Sequence, residues 1–253
     1  MNIDIVLNAQ TPPADLARLA AQAEAAGIGG IWTASYLASR DPWSNLVAAA
    51  QATRRIALGA IAVNPWDTHP VRIATGLLTL NEYAAGRARI VVGGGGEALQ
   101  ALGIRPERRV RAVGECVQIL KGVTPGKPFS FEGGMFGVQG YDPSWAQAPK
   151  PPVYVAANKP QMLRMAARLG DGIMLSDLTP SICRERIGWV QEHLRTFGRD
   201  ADPFRCWNFV AWHVHADRDR AIREAKMWLG YRGLFRRWVL NTFMTDAEYD
   251  VIE

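Results

Sequence analysis

The sequence predicts an α/β fold, a (β/α)8 barrel that is incomplete at its C-terminus. Three observations predict it. Short apolar, β-branched runs alternate with helical patterns along the whole chain, which implies a parallel sheet with helical crossovers. About seven such units follow one another without a long linker, which favours a barrel over a doubly wound sheet. The 253 residues, 48% of them apolar, suffice for one sizeable core, so residues 1–253 read as a single domain.

The elements follow in order. Ile3 to Leu7 is a strand, with Asn8 and Gln10 at its C-terminal end. Pro12-Pro13 starts a helix that carries Leu16, Leu19, Ala20 and Ala23 on one face, and Gly27 closes it. Gly30 to Thr33 is the second strand. After a loop, Asp41 caps a helix whose first residue is Pro42. Ile56 to Val63 is the third strand, ended by Asn64-Pro65. Pro70 to Tyr83 repeats apolar residues at helical spacing (Val71, Ala74, Leu78, Leu80), with Gly86 as its C-cap. Arg89 to Val92 is the fourth strand. Four glycines, Gly93 to Gly96, come next, then a helix from Glu97 and a long helix from Pro106 to Lys121.

Residues 123–150 break this rhythm. They hold a high density of proline and glycine, and FSFEGGMFGVQG reads as a hairpin around Gly133-Gly134, inserted after the fourth helix. The strand–helix alternation then resumes. Pro152 to Ala157 is a strand followed by a helix from Pro160 to Leu169. Gly172 to Leu175 is the next strand, with a helix over about Ser181 to Phe197. Phe204 to Val214 is the seventh strand, and the chain is helical from Arg218. No eighth strand is recognisable before Glu253. A barrel open at that point leaves strands one and seven with bare edges. Either the sequence is truncated, or its tail closes the gap, or a partner does.

The composition narrows the function. No apolar run reaches membrane-span length, and MNIDIVLN enters a strand directly, without the pattern of a signal peptide. The three cysteines are far apart, without CxxC spacing, as expected of free thiols in a cytoplasmic protein. The net charge of +5 favours an anionic ligand. Its basic residues are scattered rather than striped, which argues against nucleic acid.

The glycine run is the first candidate site. It lets backbone N–H groups approach a ligand with no Cβ in the way, and a helix from Glu97 adds a positive N-terminal end. The spacing fits neither the dinucleotide GxGxxG nor a P-loop. In a barrel the working residues lie at the C-terminal ends of the strands. Those ends supply Ser35 and Tyr36, Asn64, Gly93 to Glu97, Ala157 to Lys159, Ser176 and Asp177, and His213 and His215. The two histidines have strand spacing but no third ligand of matching placement, so no metal is expected. His213 is instead a candidate hydrogen-bonding residue facing a small-molecule substrate. No nucleophile elbow or carboxylate pair stands out, which argues against a hydrolase and for a cofactor that carries the chemistry.

These residues resemble a known family. Arg40-Asp41-Pro42, Leu58-Gly59, Asn64-Pro65, His69-Pro70, Thr79-Leu80-Asn81-Glu82, Gly86-Arg87 and Gly94-Gly95-Gly96-Glu97-Ala98-Leu99 are similar to the luciferase-like monooxygenases. Within that family they most resemble the deazaflavin-dependent, methylenetetrahydromethanopterin reductase type. Val153-Tyr154-Val155-Ala156-Ala157, Pro160, Met162-Leu163 and Gly170-Asp171-Gly172 add a second match. The resemblance implies a TIM-type barrel. It also implies a flat ring in the barrel mouth, on a third-strand bulge with a non-proline cis peptide at Ile61-Ala62. The phosphate would lie on Gly94, Gly95 and Gly96 and on Ala157, Asn158 and Lys159. Glu97 would be the acidic residue of the deazaflavin branch that lies near the ring or its tail. Three positions depart from the family pattern: Ser35-Tyr36 for an Asp-His pair, Asp67-Thr68 for Thr-Arg, and Lys159 for a glycine.

The reading that follows is an oxidoreductase moving a hydride between coenzyme F420 and a small organic substrate. Glu97 and His213 are its catalytic candidates, and Ser35, Tyr36, Ile61, Ala62 and Asn64 join the phosphate-binding residues around the cofactor. An FMN-dependent monooxygenase is the alternative. A non-catalytic flavin-binding protein on a shortened barrel is the second. The aromatic- and arginine-rich tail from Met227 to Phe243 is expected to cover the open edge or the barrel mouth, or to pack in a homodimer, rather than to lie on a membrane.

Overall fold

The computed structural model describes residues 3–146, 149–233 and 244–251. Seven strands form one sheet: β1 (Asp4–Leu7), β2 (Gly30–Ala34), β3 (Ala57–Val63), β4 (Ala88–Val92), β7 (Val153–Ala156), β8 (Gly172–Ser176) and β9 (Arg205–Phe209). Every pairing is parallel, and the strands lie side by side in chain order. The helices α1 (Pro13–Ala25), α2 (Pro42–Ala52), α3 (Pro70–Tyr83), α5 (Arg109–Gly122), α6 (Pro160–Leu169), α7 (Pro180–Thr196) and α8 (Arg218–Gly233) follow strands β1, β2, β3, β4, β7, β8 and β9. A five-residue helix α4 (Glu97–Ala101) precedes α5, and α9 (Asp246–Tyr249) ends the described chain. Among the described residues this is a TIM-type barrel open between β9 and β1. Among the described residues β1 pairs only with β2, and β9 only with β8.

The helices start where local chemistry dictates. Proline is the first residue of α1, α2, α3, α6 and α7. Its missing N–H falls where a helix has no acceptor to offer, and its fixed φ suits the first turn. Asp41 caps α2 by accepting from Ser44 N at 2.8 Å.

Alternation along the strands builds two cores. Ile31, Leu58, Ile90, Val155 and Ile173 point outward and are wholly buried beneath the helices. Trp32, Ile61, Val91 and Tyr154 point inward, with Met174 and Trp207 packed on them. The Tyr154 and Trp207 rings meet edge to face at 4.4 Å, and both lie within 6.5 Å of Trp32. Trp32 also donates from Nε1 to Asp4 Oδ2 at 2.9 Å. Gly59 makes room for this plug, because a Cβ there would lie 2.1 Å from Trp32 Cε3.

The inserted segment contains an antiparallel hairpin, β5 (Phe129–Glu132) with β6 (Gly137–Tyr141). Its turn is held by Glu115 of α5. The Glu115 carboxylate accepts from Gly134 N, Met135 N and Phe136 N at 2.9, 2.8 and 3.1 Å, and from Arg111 Nε at 2.8 Å. Burial pushes this carboxyl up, but Arg111 and the three amides outweigh it and hold it below the usual carboxylate range.

Three expectations are corrected. The seventh strand ends at Phe209, not Val214, because the last β8 partner is used up when Asp177 N donates to Phe209 O at 2.8 Å. The helix from Glu97 is a single turn, closed at Leu102 and followed by Gly103 in the left-handed region at φ +70°. The long helix begins at Arg109 rather than Pro106, after Arg108 at φ +46°. Most of the aromatic tail, 234–243, lies outside the described residues. No described helix is long and apolar enough to cross a membrane.

Candidate active site

The C-terminal ends of β2, β3 and β4 meet at one place. Three residues of β3 advance against two of β4 between Ala60 and Val63, so β3 bulges at Ile61-Ala62. Ser35, the first residue past β2, donates its N–H to the Ile61 carbonyl at 2.8 Å. Gly93, the first past β4, donates to the Val63 carbonyl at 2.8 Å. A Cβ on Gly93 would lie 3.1 Å from Ala62 Cβ, so the glycine lets the bulge sit against the turn.

The four glycines divide by role. Gly95 is in the left-handed region at φ +72°, and a Cβ there would lie 2.2 Å from Leu99 Cδ1. It shapes the turn. Gly94 and Gly96 have room: a Cβ on Gly94 would meet Arg109 Cδ and Met162 Cε at 3.7 Å, and one on Gly96 nothing within 4 Å. Their glycine character is not required by packing, and it keeps the outer face of the turn bare. The Gly94 contacts also place the starts of α5 and α6 beside the turn, so the Ala157–Lys159 segment leads into a helix that begins next to the glycine run.

Other predicted residues are engaged locally. The Asn64 side chain donates to Asp67 Oδ2 at 2.6 Å and accepts from Trp66 N and Asp67 N at 3.1 and 3.2 Å. It folds a tight turn that sets Trp66 3.7 Å from the Cβ position of Gly95. Asn158 donates to Ser176 O and accepts from Ser176 N, both at 3.1 Å, and so ties β8 to the loop after β7. Ala157 N donates to Met174 O at 3.0 Å. Lys159 is exposed at the start of α6, and Tyr36 is 67% exposed. At the end of β8, Asp177 is held at φ +57° and accepts from Ser176 Oγ at 2.7 Å.

His213 lies on the loop after β9, not in a strand, so it and His215 do not share a strand face. Its Nδ1 is 3.7 Å from Glu224 Oε2 of α8, and its Nε2 is buried without a hydrogen-bond partner among the described residues. Among the described residues no three His, Cys, Asp or Glu side chains come together as metal ligands. Burial pushes the Cys116 thiol up, out of the reactive range.

The comparisons fit this geometry. The sequence profile of the Luciferase-like monooxygenase family matches residues 2–250. The chain belongs to this family. It is 30% identical over 209 residues to the 5,10-methylenetetrahydromethanopterin reductase of Archaeoglobus fulgidus, a match over 81% of this chain and 62% of that protein. It is 28% identical over 239 residues to the F420-dependent glucose-6-phosphate dehydrogenase of Nakamurella multipartita, covering 87% and 69%. The fold of an F420-dependent secondary alcohol dehydrogenase, solved with an F420-acetone adduct, superposes with a TM-score of 0.81 at 23% identity, over the whole of this chain and 81% of that one. The chain therefore has the barrel of the luciferase-like monooxygenases, and it spans about two thirds or less of the first relatives' length (62 to 66%).

Sequence reasoning missed Trp66 and Arg109 as residues beside the turn. The Asn64-to-Asp67 spacing carries the signal for Trp66, as a side chain that folds its own loop. Arg109 had none, since only the packed helix brings it to Gly94.

Proposed function

We propose that this chain is an oxidoreductase that binds coenzyme F420 at the C-terminal face of its barrel and transfers a hydride between it and a small organic substrate. The observation that carries the reading is the β3 bulge at Ile61-Ala62 lying against a glycine turn whose outer face is bare. A flat ring can rest on the bulge while backbone N–H groups of Gly94 and Gly96 reach a phosphate. Lys159 supplies a positive charge at the start of α6, and Asn158 fixes the loop that carries it. Glu97, first in α4, is assigned the acidic position near the ring, and His213 that of a substrate-side hydrogen bonder. Bound, the deazaflavin accepts or gives the hydride, and the protein contributes orientation and exclusion of water. The relatives' names support this cofactor and differ in substrate: a pterin, a sugar phosphate and a secondary alcohol.

Ser35-Tyr36, standing after β2 in place of the family's Asp-His pair, favours a second reading, a flavin-binding protein without activity. We also read the chain as cytoplasmic and homodimeric. The exposed Val210, Trp212 and Val214 beyond the open β9 edge support the dimer, at 55, 70 and 78% exposure. The test of function is turnover. Purified protein with F420 and a panel of secondary alcohols, sugar phosphates and reduced pterins should change the deazaflavin absorbance with one of them. Binding of F420 without turnover on any would favour the non-catalytic reading.

A further inference from the structure

A cavity of about 590 Å3 opens at the end of the sheet opposite the glycine turn, a volume that suits a small ligand. It runs beneath the N-terminal ends of β3, β4, β7, β8 and β9 and reaches α3 and α5. Its charge is lopsided. Seven Lys and Arg side chains line it against two carboxylates, Asp171 and Asp202. That excess equals the net +5 of the whole chain, so the remaining Lys, Arg, Asp and Glu side chains cancel.

Both carboxylates are already engaged. Asp171 takes the Lys121 ammonium at 2.5 Å and Val153 N at 2.9 Å, and Asp202 takes Arg199 Nε at 2.6 Å. The terminal nitrogens of Arg87 donate to the carbonyls of Ala50, Thr53 and Ile56, and Lys150 donates to the Lys121 carbonyl at 2.6 Å. Among the described residues, Arg55, Arg89 and Arg205 line the cavity with no carboxylate within ion-pair distance.

Tyr154 is the second observation. The residue is 3% exposed and lines the cavity. Burial pushes its hydroxyl above the usual range, and the lesser charges acting on it, Arg89, Arg205, Asp171 and Asp4, all stand at N-terminal strand ends.

We propose that this end of the barrel binds a compact phosphorylated molecule carrying two or three negative charges. Arg55, Arg89 and Arg205 neutralise its phosphates, as guanidinium forks match phosphate oxygens. The Tyr154 hydroxyl donates to one of those oxygens. The site is separate from the proposed cofactor site and does not depend on it.

Calorimetry on the full chain at low salt tests this with inorganic phosphate, pyrophosphate and adenosine diphosphate as probes. Pyrophosphate should bind one to one, at least about tenfold tighter than phosphate. A higher affinity for adenosine diphosphate than for pyrophosphate would mark an organic ligand, and equal affinity a bare diphosphate. Either supports the site. Arg89→Gln with Arg205→Gln should weaken pyrophosphate by about tenfold or more. If that pair fails to fold, Arg205→Gln alone, at an exposed position, should still weaken it severalfold. Gly96→Val should leave it unchanged. No saturable binding would overturn the proposal, and so would binding that survives the arginine variants and is lost in Gly96→Val.

Discussion

Gly96→Val separates what the glycine turn does for the fold from what it does for a ligand. Gly96 is extended, at φ −118° and ψ −154°, outside the left-handed region that favours glycine. No atom lies within 4 Å of the position its Cβ would take. With no clash, the stability cost is that of a poorer N-cap on the single-turn α4, about 1 kcal/mol or less. The added methyl groups stand where the proposed phosphate approaches the backbone. Each charge-assisted N–H bond lost there is worth about 1.5–3 kcal/mol, which is roughly 10- to 150-fold in Kd. Gly95→Ala is the counterpart. Its φ of +72° and the 2.2 Å approach to Leu99 predict a stability loss of about 1–3 kcal/mol before any ligand is added. The assay is quenching of F420 fluorescence on titration with each variant, beside urea denaturation. If Gly96→Val binds F420 as tightly as the parent protein, the turn is not the phosphate site and the reasoning fails.

Further predictions follow from the cores, the hairpin and the open edge. Trp32→Ala should destabilise by about 3–5 kcal/mol in urea, since it empties the inner plug and leaves Asp4 without its donor; a loss below 1 kcal/mol would mean that the plug is not packed as described. The Glu115 carboxyl is held below the usual range, so its stabilisation is complete above about pH 4.3 and is lost as pH falls below that, through its lowered folded-state value. Limited proteolysis within 123–150 should increase in that acid window, and Glu115→Gln should remove the pH step while costing about 1–3 kcal/mol. Trp212→Glu should turn the proposed dimer into a monomer by light scattering, and an unchanged mass would place the interface elsewhere.

The sheet was legible because strands buried on both faces read as short apolar runs, such as Ala57–Val63 and Val153–Ala156. The helix starts were legible because Asp41, Pro42, Pro70 and Pro160 act within one turn of the chain. What escaped the sequence depends on partners. Val210 to Val214 alternates like a strand, yet β8 has no backbone left to pair with it. Asn64 and Asn158 read as ligand-facing residues, but their amides are engaged by Asp67 and by Ser176. The basic cavity was invisible for the same reason. Its arginines lie at residues 55, 89 and 205, scattered in sequence, and only the parallel sheet sets them at one end.

Equilibrium titration of the purified chain with F420 and, separately, with FMN tests the central claim most directly. The account predicts saturable one-to-one F420 binding, weakened at least tenfold by Gly96→Val, with FMN binding more weakly. Binding of FMN alone, or of neither, would contradict it.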